Sequence, residues 1–251
     1  VQARYTKSGS DYVLNGTLRY VIDGHTADLL IIAARAENST GTNGISLFVV
    51  PASTTGMTRK WLPTMDQTRH QAEILLNNVS ISTSALMSTE AQAIMTAPAL
   101  LAASKIAVSA EQMGGAQEML DKTVAFTQER IQFGRSIASF QAIKHKAADM
   151  MLKCEVARSA VYYAACVAQE AMSADGDSTI AAELDEAAAM AKCYCSDTFF
   201  FNAGSAIQMY GGVGFTWEYD VHLYFKRAKA SELFLGNGAQ QRELIAQMLL
   251  D

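Results

Sequence analysis

Hydrophobic and polar positions change their rhythm partway along the chain. Up to about residue 88 the apolar residues fall in short runs, DYVLNGTLRYVIDG, ADLLIIAARA, GISLFVVPA, MTRKWLP and QAEILLNNVSIS. Short runs rich in β-branched and aromatic residues, closed by polar turns, predict strands. Asn15-Gly16 in the first run predicts a tight hairpin turn between two strands. The segment 1–88 is therefore expected to be a small β-domain, barrel- or sandwich-like.

From Met87 onward the period is helical. The stretch LLAASKIAVSAEQMGGAQEMLDKTVAFTQERIQF carries one helical pattern through Gly114-Gly115, a pair read here as a place where another helix comes close. A second helix is expected from about Ser139, a third from about Thr179 to Ile207 after the turn SADGDS, and shorter ones over about 219–233 and 239–250. The prolines are Pro51, Pro63 and Pro98, so nothing beyond Pro98 interrupts a helix in this way. Residues 89–251 thus predict an antiparallel bundle of four to five helices, and the whole chain an α+β fold.

Composition narrows the function. Of 251 residues half are hydrophobic, and the formal charge is -5. Mild acidity argues against nucleic acid or an anionic membrane surface as partner. No run approaches the roughly 18 apolar residues of a membrane span. The chain opens on Val1, which suggests a trimmed chain lacking an upstream domain. Cys154, Cys166, Cys193 and Cys195 have neither disulfide-framework nor zinc spacing and read as reduced, packed thiols, hence a cytoplasmic setting.

Two stretches are over-specified for packing alone. In ERIQFGRSIASFQAIKHK, the cations Arg130, Arg135, Lys144, His145 and Lys146 crowd one corner that ends at a new helix N-terminus. Cations beside unsatisfied N–H groups can hold phosphate, although a solvated charged corner would read the same way. In QMYGGVGF three glycines fall within four residues after a long helix. No strand precedes them, so this is not a Rossmann fingerprint, and a simple turn is the plain alternative.

Together R-x-Q-F-G, the following F-Q and A-D-M, and Q-x-x-G-G-x-G-F resemble the acyl-CoA dehydrogenases over essentially the whole chain. QFGRSIASFQAIKHKAADM is particularly similar to a bacterial subgroup, several of whose members degrade steroid side chains. The resemblance implies an FAD flavoprotein built from that family's middle β-domain (1–88) and C-terminal helical domain (89–251). It implies that Arg130 pairs with the FAD pyrophosphate and that Gln132 and Phe133 line the cofactor. Ile137, Phe140 and Ile143 would border its adenosine part. Gln208, Gly211 and Gly212 would contact the pyrophosphate of a flavin shared with a neighbouring subunit, and Asn237 would also touch the cofactor. Tyr20 matches an aromatic that packs on the flavin ring, and Ile22 falls where the family often has Thr. Shared sites imply a homo- or hetero-oligomer, usually a dimer of dimers. Electron-transfer flavoprotein is a further implied partner.

The family reaction removes an α-proton from an acyl-CoA thioester while a β-hydride passes to flavin, and its base is a carboxylate whose pKa burial raises. The two family positions for that base hold Leu235 and Ser104 here. Lys105 matches a CoA-binding Arg, and Ser104 and Val108 would line the substrate. Glu111, seven residues on, shares the face of Ser104 about 10 Å away; it is a candidate base or an inter-helix hydrogen-bonding residue. Glu218 and Asp220 read as helix-start residues, Glu232 as facing solvent or a basic neighbour, and His222 as structural or catalytic. The readings are a base-lacking subunit of a hetero-oligomer, a dehydrogenase using a base such as Glu111, a same-fold flavin monooxygenase or oxidase, and a non-catalytic structural subunit.

Overall fold

The computed structural model describes residues 2–41, 43–88 and 90–250, with backbone alone over 90–96. The chain divides into two compact units, Val1–Pro98 and Ala99–Asp251.

The first unit is a seven-stranded sheet: β1 (Arg4–Ser8), β2 (Asp11–Ile22), β3 (Leu29–Ala36), β4 (Ile45–Pro51), β5 (Met57–Leu62), β6 (Gln71–Ser82) and β7 (Leu86–Ser88). Its order is β5-β6-β2-β1-β3-β4-β7, with β1 and β3 parallel and the other neighbours antiparallel. Among the described residues β5 and β7 are edges, so the barrel- or sandwich-like domain expected from the sequence is an open sheet. The sheet curls. Tyr12 on β2 and Phe48 on β4 stand three strands apart in the order, yet their ring centroids are 5.2 Å apart, with Tyr5 of β1 edge-on to both. Leu14, Ile32, Phe48, Ile74 and Val79 are completely or almost completely buried in the core this curl encloses.

The predicted hairpin at Asn15-Gly16 is not a turn. β2 runs straight through it, with a register slip against β6 between Leu14 and Gly16. Asn15 Oδ1 accepts the Asn78 N–H (2.7 Å), and a Cβ on Gly16 (φ 136) would stand 2.9 Å from the Ala3 Cα. The Asn-Gly pair therefore serves a bulge crossed closely by another strand. The hairpin lies earlier, at Gly9-Ser10 (Gly9 φ 60), because β1 supplies the partner strand.

The second unit is helical: α1 (Glu90–Glu129, beginning before the division), α2 (Gln141–Met172), a single turn α3 (Ser178–Ala181), α4 (Leu184–Tyr210), α5 (Val221–Leu233) and α6 (Gly238–Leu250). α1 passes unbroken through Gly114-Gly115. A Cβ on Gly115 would lie 2.5 Å from the Phe199 ring of α4, whereas one on Gly114 would meet nothing within 4 Å. One glycine of the pair admits the neighbouring helix. The core joins Met119 of α1, Met150 and Cys154 of α2, and Phe199 and Ala203 of α4. Among the described residues no helix is long and apolar enough to cross a membrane.

Candidate functional site

Phe126, in the last turn of α1, stacks on Tyr210, the last residue of α4, with centroids 3.9 Å apart and planes at 11°. That contact brings the two over-specified stretches to one end of the bundle. At the end of α1, β8 (Ile131–Gln132) pairs with β9 (Arg135–Ser136). Phe133 (φ 53) and Gly134 (φ 76) form the turn between them, both left-handed as the tightest hairpins require. Phe133 is consequently 91% exposed. Arg130 is also exposed, and its carbonyl accepts the Ile137 N–H (2.9 Å), which closes the corner.

The cations of this corner do not act as one cluster. Arg135 lies 4.1 Å over the Phe140 ring and Lys146 5.3 Å over Phe201, while Lys144 and His145 are exposed. Gln132 turns its amide to the neighbouring Ile131 carbonyl (2.7 Å). Ile137, Phe140 and Ile143 are half-buried, and Ile143 packs on the bundle core.

The glycine stretch forms a 3-10 turn over Gly211–Phe215. Gly211 (φ 68) caps α4 by donating to the Ile207 carbonyl. Methyl groups on Gly211 or Gly212 would meet nothing within 4 Å, whereas one on Gly214 would press on Tyr210 Cβ at 3.0 Å. Two glycines thus bare the backbone outward, beside exposed Gln208, and the third serves packing. Beside the Phe126–Tyr210 stack lies an open cleft of about 580 Å³ bordered by Phe126, Glu129, Tyr210, Trp217 and His222. His222 is buried edge-on to Trp217 (4.7 Å), and Asp220 pairs with Lys122 at 2.9 Å.

Where the sequence resemblance leads us to expect a base, Leu235 (φ 59) and Gly236 (φ 94) form a left-handed pair after α5. Asn237 opens α6 reciprocally: its N–H donates to Gln240 Oε1 and its Oδ1 accepts the Gln240 N–H, each at 3.0 Å. On α1, the Ser104 hydroxyl donates to the Leu100 carbonyl (2.8 Å), and Val108 is buried. Burial pushes the Lys105 pKa down, against the attraction of Asp185. The Glu111 carboxylate lies 2.8 Å from Arg227 of α5, and Glu232 lies 2.9 Å from Lys229.

In the first unit, Tyr20 sits at a second slip of β2 with φ 59 and its ring 61% exposed, and Ile22 ends the strand half-buried. All four cysteines are free thiols; burial pushes Cys195 up to about 12.

Sequence reasoning missed a buried polar group beneath the 235–237 turn. Lys192 and Gln112 are completely buried, and Gln241 almost so. Lys192 Nζ donates to Ser196 Oγ (2.8 Å) and to the Glu232 and Gly236 carbonyls (3.1 Å each). Gln241 donates to the Leu235 carbonyl (2.8 Å), and Gln112 joins Ser196 to Ser231. The available signal was a lone lysine inside AAAMAKCYC.

A sequence model described as the acyl-CoA dehydrogenase C-terminal domain matches residues 93–250. An acyl-CoA dehydrogenase of Bacillus subtilis (strain 168) is 31% identical over 97% of this chain and 62% of its own length. The solved butyryl-CoA dehydrogenase from Megasphaera elsdenii superposes with TM-score 0.89 at 30% identity, over 100% of this chain and 63% of that one. A structure described as the electron transferring flavoprotein of Acidaminococcus fermentans gives TM-score 0.90 at 32% identity, over 99% of this chain and 63% of that one. The chain spans less than two thirds of the length of these relatives.

Proposed function

The chain belongs to the acyl-CoA dehydrogenase family, and on that premise we propose that it is part of a flavin subunit for α,β-dehydrogenation of an acyl-CoA thioester that lacks a catalytic base of its own. The observation carrying this reading is the hydrocarbon side chain of Leu235, where the resemblance puts the family's base, on a turn whose backbone is tied down on several sides. Ser104, Glu111 and Glu232 are each engaged elsewhere: Ser104 is bonded to its own helix, Glu111 is paired with Arg227, and Glu232 with Lys229.

The residues present fit FAD. An exposed guanidinium at Arg130, an exposed left-handed Phe133 and bare backbone at Gly211-Gly212 share one end of the bundle, as a dinucleotide's phosphates and aromatic base require. When bound, the flavin supplies the hydride acceptor. Arg130 and the glycine backbone would neutralise and seat the pyrophosphate, with Gln208 beside them. Phe133, Ile137 and Phe140 would cover the adenosine; in the first unit, taken by itself, Tyr20 offers an exposed ring of the kind that packs on a flavin. Lys105 would attract the nucleotide end of CoA, while Ser104 and Val108 would line the acyl group. Proton removal then needs a carboxylate from a partner subunit in a hetero-oligomer. Electron-transfer flavoprotein is the proposed recipient of the electrons, a reading supported by the family and by the similarity to the Acidaminococcus structure.

The test is FAD content of the full-length protein, purified alone and co-expressed with the dehydrogenase encoded nearest to it. A co-purifying complex with less than one FAD per chain supports shared sites and a base-lacking subunit. A lone homo-oligomer that binds one FAD per chain and turns over acyl-CoA overturns the reading.

A further inference from the structure

We propose that Lys192 is a positioning residue, whose buried side chain fixes the backbone of the 235–237 turn and so the direction in which side chain 235 leaves the bundle. The last carbonyls of any helix lack intrahelical donors, and a glycine in the left-handed conformation ordinarily suffices to end one. α5 ends instead on an extended Phe234, with left-handed Leu235 ahead of Gly236, and this end receives a completely buried lysine. The three ammonium protons match three acceptors: Ser196 Oγ on its own helix, and the Glu232 and Gly236 carbonyls on either side of residue 235. Gln241 takes the carbonyl between them, that of Leu235. Every residue from 235 to 237 is therefore held at its carbonyl or by the Asn237–Gln240 cap.

The arrangement is costly in two ways. Leu235 adopts a left-handed conformation that L side chains avoid. Burial also pushes the Lys192 pKa down to about 8, against the attraction of Glu232 and with repulsion from Lys105 adding to the fall. Strain and a buried cation at one turn indicate a backbone held for the sake of the side chain it presents. Here the presenting device persists although the side chain is hydrocarbon. Calling 235 the base position rests on the functional reading above; the measurement below reads the clamp whether or not that reading stands.

The test is amide hydrogen exchange of the whole chain, comparing Leu235–Gln241 with the core of α2 in wild type, Lys192→Met, Lys192→Arg and Ser196→Ala. Lys192→Met keeps the packed stem and removes the donors. It is expected to lower protection at the turn by about tenfold with α2 unchanged, Lys192→Arg to restore much of it, and Ser196→Ala to leave the turn protected. Unchanged protection in Lys192→Met, or an equal fall in the turn and in α2, overturns the proposal. If Lys192→Met does not fold, the wild-type ¹⁵N ammonium resonance of Lys192 decides. A signal slow to exchange with water and showing contacts to the amides of 236 and 237 supports the clamp; a freely exchanging one overturns it.

Discussion

Glu111 Oε1 on α1 lies 2.8 Å from the Arg227 guanidinium on α5, with the two side chains 34% and 20% exposed. This carboxylate is the inter-helix member of a half-buried ion pair, which explains its place without any catalytic duty. Glu111→Gln should cost roughly 1 kcal/mol of stability, read as a fall of a few degrees in melting temperature, and leave flavin binding intact. In the co-expressed complex it should leave acyl-CoA-dependent flavin bleaching intact as well. Loss of bleaching with flavin still bound would make Glu111 the base.

The adjacent glycines of α1 should respond with opposite signs. Gly115→Ala drives a methyl into the buried Phe199 ring, 2.5 Å from the built Cβ, and should destabilise by roughly 1–3 kcal/mol. Gly114→Ala meets nothing and should stabilise by up to about 1 kcal/mol through helix propensity. Chemical denaturation of the two variants checks both signs.

Lys192 makes stability depend on pH in alkaline solution. Its folded pKa of about 8 lies below the ordinary 10.5, so between those values the unfolded chain holds more protons than the folded one. The contribution is present in full above 10.5 and is lost as pH falls through about 8. Relative to Lys192→Met, wild-type stability should therefore rise across this window, by at most about 3 kcal/mol. A difference that is flat, or that falls with pH, would show that the ammonium is not buried at a cost.

Arg130 and Gly212 can be altered without touching the bundle, since one is exposed and a methyl on the other meets nothing. Arg130→Gln and Gly212→Ala should keep the unfolding free energy of the apoprotein within about 0.5 kcal/mol of wild type. Each should weaken FAD retention, by about tenfold for Arg130→Gln through loss of a charge-assisted contact. Dialysis against graded FAD, followed by flavin absorbance, measures this.

Local pattern carried much of the fold. The helical period through Gly114-Gly115 foretold one long helix, and the apolar runs foretold β3, β4, β5 and β6. Asn15-Gly16 misled because its meaning depends on β1 and Ala3, which only pairing reveals: the same dipeptide suits a hairpin or a bulge. The two ends of the candidate flavin surface were legible as motifs, but their meeting depends on Phe126 stacking on Tyr210, 84 residues on. Lys192 was illegible for a similar reason. Its acceptors at Glu232 and Gly236 lie 40 and 44 residues away, and nothing in AAAMAKCYC announces them. Tyr20 stands out in the sequence by resemblance alone; its left-handed backbone at a strand slip is a property of the sheet.

The most direct measurement is anaerobic bleaching of bound FAD by acyl-CoA in the full-length protein purified alone, beside the same protein carrying Leu235→Glu. With hydrocarbon at 235, Ser104 bonded to Leu100 and Glu111 paired with Arg227, the wild type should bind flavin and leave it oxidised, while a carboxylate on the clamped turn should restore bleaching. Bleaching by the lone wild-type protein would contradict the account, because it would require a base that none of these positions supplies.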